Sequence, residues 1–85
     1  MAQDIKELIG ALMRVLGGSD LSRDEVEDLA FDAEGELQAA CNEGYIKLME
    51  FAFDRDARLE DRELDAGMRA ELERCLNEIV RLSDG

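Results

Sequence analysis

Apolar residues in this chain recur at intervals of three and four, and no proline interrupts them anywhere. That spacing places them on one face of a helix rather than on alternate faces of a strand. In the first segment Ile5, Leu8, Ile9, Leu12, Met13 and Leu16 share a face. Asp4 followed by Glu7 has capping-box spacing, and Gly17-Gly18 supplies a stop. A second capping box, Ser22 with Glu25, is flanked by Leu21 and Val26 at the positions of a hydrophobic staple.

From Val26 the stripe runs through Leu29, Ala30, Ala33, Leu37, Ala40 and Cys41, and on past Gly44 to Leu48 and Phe51. A single helix over 22–53 would be about 45 Å long at 1.5 Å per residue, long for so small a domain. Gly44 is therefore the expected site of a kink or break. After a charged link, DRDARLED (54–61), Leu64, Met68, Leu72, Cys75, Leu76, Ile79 and Leu82 line a last helix. The expectation is one all-α domain over 1–85, with helices about 4–16, 22–53 and 60–82. They would form a small antiparallel bundle of three helices, or four if the middle one breaks near Gly44. GELQAACNE (35–43) and AELERCLNE (70–78) are alike as two helices under the same rules, not as a repeat array.

The 85 residues carry 22 acids against 10 bases, a formal charge of −12. DNA, RNA and anionic membranes need Lys and Arg to replace counterions, so direct nucleic-acid or membrane binding is not expected. A basic protein surface is the natural partner. The start, MAQDIKEL, lacks the regions of a secretory signal, and no apolar run reaches the ~20 residues of a spanning helix. A cytoplasmic location is expected. Cys41 and Cys75, without any histidine, make neither a disulfide framework nor a zinc site, and read as buried free thiols in a reducing compartment.

No nucleophile–base pair or phosphate-binding loop is present, so no catalytic residue, cofactor or metal is assigned, and the chain reads as a non-enzyme. Asp54, Asp56, Glu60 and Asp65 fall on some positions of a calcium loop. However, Arg58 replaces an oxygen ligand, Leu59 the turn glycine, and Asp65 the bidentate glutamate. VEDLAFDAEGEL (26–37) resembles the approach to the Asp-Ser-Leu motif of acyl carrier proteins, but Ala33 follows Asp32, so the attachment serine is missing. In size, acidity and helical character the chain is similar to bacteriocin immunity proteins and phage-encoded inhibitors of bacterial defence, a likeness of class without a motif.

Residues 20–43 hold nine acids and one base, Arg23, two thirds of the whole negative charge. On a continuous helix, Glu25, Asp32, Glu36 and Glu43 flank the apolar stripe on one side, and Glu27 and Glu34 on the other. The ridge is expected to lack the Lys or Arg partners four residues away that steady an exposed helix. Phe31 falls among Asp24, Glu27, Asp28 and Glu34, as a binding anchor would, or else beneath another helix. The candidate partner-binding set is Asp24, Glu25, Glu27, Asp28, Phe31, Asp32, Glu34, Glu36 and Glu43. A second candidate surface is YIKLMEFAF (45–53), apolar nearly all round, where Tyr45, Ile46, Met49 and Phe53 would form a homodimer interface. Two functions follow: an acidic inhibitor or regulator of a basic, nucleic-acid-handling protein, or a small homo-oligomeric adaptor working through 45–53.

Overall fold

The computed structural model describes residues 4–84, which are all-α. The elements are α1 (Lys6–Leu16), α2 (Arg23–Glu27), α3 (Gly35–Phe53), α4 (Arg55–Glu60) and α5 (Arg62–Asp84). α5 lies along α3 and against α1, α2 packs on α3, and α4 packs on α5. Leu8, Leu12, Val15, Val26, Leu37, Cys41, Leu48, Phe51, Leu72 and Ile79 form the buried core between them. Met13, placed on the α1 core face by its spacing, is instead 60% exposed, and Val15 takes the buried place.

Local signals decide both ends of the α1–α2 turn. Ser19 N–H donates to the Arg14 carbonyl at 3.0 Å and Gly18 N–H to the Val15 carbonyl at 3.1 Å. With Gly18 at φ +102°, this is a Schellman stop. Ser22 Oγ then accepts from Glu25 N–H at 3.2 Å, and Leu21 and Val26 are both buried, so cap and staple form together.

Two expectations are corrected here. The Asp4–Glu7 capping box does not form. Ile5 precedes the first helical residue without a side-chain cap, and Asp4 offers only a 3.4 Å contact to Lys6 N–H. More consequentially, the 22–53 segment is not one helix. α2 ends after five residues and 28–34 link it to α3, with Asp4 and Asp32 exchanging backbone hydrogen bonds of 2.9 and 2.7 Å. Glu34 is extended and Gly35 takes φ +64°, a left-handed conformation that glycine adopts without a Cβ clash. The helix therefore breaks over residues 28–34, and resumes at Gly35, rather than breaking at Gly44.

Gly44 has a different task. It is buried in mid-α3, where a Cβ would stand 3.3 Å from Ile79 Cδ1, 3.7 Å from Cys75 Cβ and 3.9 Å from Leu12 Cδ1. Three helices meet there, and the missing side chain is what lets them close. Residues 54–60, expected as a link, are mostly α4. Asp61 caps α5 by accepting from Glu63 N–H at 3.0 Å and Leu64 N–H at 3.2 Å. Both cysteines are free and buried, as expected, and desolvation pushes their thiols up from the ordinary range.

Gly44→Leu should overpack this seam at a cost of about 1–3 kcal/mol. Thermal melting should show it as a fall of roughly 4–8 °C per kcal/mol for a domain of this size. An unchanged melting temperature would contradict the close approach.

Candidate functional site

The proposed partner-binding residues do not form one ridge. Asp24, Glu25 and Glu27 lie on α2 with Asp28 at its end. Phe31, Asp32 and Glu34 lie on the non-helical link, and Glu36 and Glu43 on α3. The break at 28–34 removes the common helix axis on which the two flanks depended. The expected lack of basic partners is also corrected. Arg23 and Glu27 pair four residues apart at 3.2 Å, while Glu25 reaches Arg14 at 3.4 Å and Glu43 reaches Arg74 at 3.8 Å. These exposed pairs are screened by solvent and add little to stability. Asp24, Asp28, Asp32, Glu34 and Glu36 have no ion-pair partner among the described residues.

Phe31 is half-buried, its ring 5.8 Å from that of Tyr45 and tilted by 50°, so another element covers it. Of the 45–53 residues, Tyr45 and Met49 are half-buried against the core. Ile46 and Phe53 are 56% and 57% exposed, seven residues apart on α3. The Arg23 guanidinium stands 4.6 Å from the Phe53 ring centroid and ties α2 to that face.

The most constrained polar group in the molecule escaped the sequence reading. Arg58, 4% exposed, donates to the Phe51 carbonyl at 2.9 Å, Asp65 Oδ1 at 2.9 Å and Asp20 Oδ1 at 3.1 Å. Its guanidinium also lies 3.4 Å from the centroid of the Phe51 ring. Arg69 donates to Asp65 Oδ2 at 2.8 Å and to the Val15 carbonyl, and Arg55 reaches Asp20 at 3.3 Å. The cluster thus joins the end of α1, the α1–α2 turn, α3, α4 and α5. Hydrogen bonds from Arg69 and Arg58 hold the Asp65 carboxyl below the usual carboxylate range. Phe51, Arg58 and Asp65 are seven apart in sequence. They lie on three successive helices, so their contact is tertiary and no local spacing rule specifies it.

Asp65, the last position of the rejected calcium loop, is committed to these arginines, and its loop is helical. Among the described residues no three Asp, Glu or Cys side chains converge as a metal site would need. No described helix is long and apolar enough to cross a membrane.

One further surface is concave. An open groove of about 640 Å³ runs between α1 and α2. Its floor includes Ala11, Leu21 and Leu29, and Glu7, Glu25 and Asp28 stand along it. Comparison with known proteins gave no match to this chain among family models, curated proteins or solved structures.

Two outcomes test the arginine cluster. Arg58→Lys keeps the charge but cannot serve three acceptors in the guanidinium geometry, and should cost on the order of 3 kcal/mol in urea unfolding. Asp65→Asn should be less stable than the parent at neutral pH. Because the folded pKa of Asp65 is depressed, its contribution is present above the unfolded value near ~4 and lost as pH falls through the folded one. The stability difference between parent and Asp65→Asn should therefore shrink in that acid window. A difference independent of pH would contradict the pairing.

Proposed function

We propose that this protein is a non-enzymatic binding module whose acidic surface docks on a basic surface of another protein and inhibits or regulates it. The observation that carries this reading is the division of charge. Among the described residues, every arginine except Arg62 is held in an intramolecular ion pair. The unpaired carboxylates of α2 and the link (Asp24, Asp28, Asp32 and Glu34) face solvent as a local excess of negative charge. Such a field attracts cationic surfaces and speeds their encounter. Proteins that handle nucleic acid present such surfaces, and an acidic chain competes for them with the phosphate backbone. We read the supporting scaffold as an antiparallel bundle of α1, α3 and α5, a reading supported by the short connections between successive helices.

The reading predicts capture of a basic protein from host lysate at low salt, with affinity falling at least about tenfold between roughly 50 and 500 mM salt. Asp28→Lys, Asp32→Lys and Glu34→Lys together should abolish the capture while leaving the helical circular dichroism spectrum intact. Capture insensitive to both salt and reversal would overturn it. Sedimentation showing a homodimer that Phe53→Glu dissolves, with no partner captured, would replace it with an assembly role through Ile46 and Phe53.

A further inference from the structure

Gly10 stands in mid-α1, where glycine is the least favourable residue after proline. Unlike Gly44, it gains no packing in return, since a Cβ built there meets no atom within 4 Å. Gly67 is equally uncrowded but lies on the exposed side of α5. Gly10 instead lines the open α1–α2 groove beside Ala11, Leu21 and Leu29, and its missing side chain leaves room over that apolar floor. Along the same groove stand the carboxylates of Glu7, Glu25 and Asp28 against a single cation, Arg14, which Glu25 already engages at 3.4 Å.

From this we infer that the groove is the docking site for an amphipathic basic segment of the partner protein. Its apolar side chains would seat over Gly10, Leu21 and Leu29, and its Lys or Arg would meet Glu7 and Asp28. The inference rests on the binding role proposed above and identifies where and how the partner is gripped. Charge complementarity selects the occupant. A second copy of this chain would bring another −12 and the same acidic rim, and like charges across an interface are strongly unfavourable. A helix is about 10–12 Å across, and an open groove between two helices can receive one face of it.

The test uses the whole chain and two synthetic peptides of about four helical turns, one with leucine and lysine in amphipathic helical order and one scrambled. The amphipathic peptide should bind more tightly and shift amide resonances of α1 and α2. Gly10→Leu should fold with a melting temperature at or above the parent's and bind about tenfold or more weakly, because the new side chain fills the floor. Equal binding of the scrambled peptide, or unaltered binding by Gly10→Leu, overturns the groove assignment while leaving the acidic-surface reading to its own salt test. No binding of either peptide overturns the groove alone, provided a basic partner is still captured from lysate. A homodimer that Gly10→Leu dissolves makes the occupant a second copy and overturns the basic segment.

Discussion

The arrangement depends first on one buried guanidinium. Arg58 lies on the shortest of the late helices, yet it contacts a carbonyl at the end of α3, a carboxylate in the α1–α2 turn and another in α5. An unpaired charge at that depth would cost several kcal/mol, so the three acceptors and the Phe51 ring must all be in place. Each acceptor belongs to a segment that is otherwise free to shift. The cation therefore acts as a point of registration, setting where α4 folds back and how the α1–α2 turn meets the α3–α5 pair. Arg69 extends this to the last turn of α1 through the Val15 carbonyl.

The same arginines explain how so acidic a chain closes. With a formal charge of −12, self-repulsion opposes compaction everywhere. Cations are spent where elements meet: Arg14 between α1 and α2, Arg74 between α5 and α3, and Arg58 and Arg69 at the central cluster. Among the described residues, carboxylates without an ion pair remain on α2 and the link that follows it (Asp24, Asp28, Asp32 and Glu34) and again between Asp54 and Glu63 (Asp54, Asp56, Glu60, Asp61 and Glu63).

Features written in neighbouring residues were legible. The Ser22 cap, the Leu21–Val26 staple and the Gly17-Gly18 stop involve groups within six residues of one another, so their spacing alone specifies them. The core faces of α3 and α5 were legible because burial follows helical period: Leu48, Phe51, Leu72 and Ile79 are all inside. The interruption of the middle helix was not. A stripe of constant phase from Val26 to Cys41 is compatible with one helix, and the competing arrangement depends on Asp4, more than twenty residues away, pairing with Asp32. Gly35 was the local clue, but glycine in a sequence does not reveal whether it serves a left-handed turn, as there, or a close helix crossing, as at Gly44. The candidate site suffered for the same reason. Its flanks were drawn on a helix that does not exist, while Arg58 was seen only as a misfit in a calcium loop.

Cys41 and Cys75 lie on α3 and α5, which pack along each other, and Cys75 sits beside the Gly44 crossing. Burial keeps both as neutral thiols, and a thiol reagent attacks only the exposed thiolate. Cys75 borders an open hollow beside Glu43, Arg74 and Glu78, but Cys41 has no exposed surface, so its modification must wait for the packing around it to part. The rate at which the Cys41 sulfur is consumed reports how often the centre of the molecule comes undone, with no label added anywhere on the acidic face.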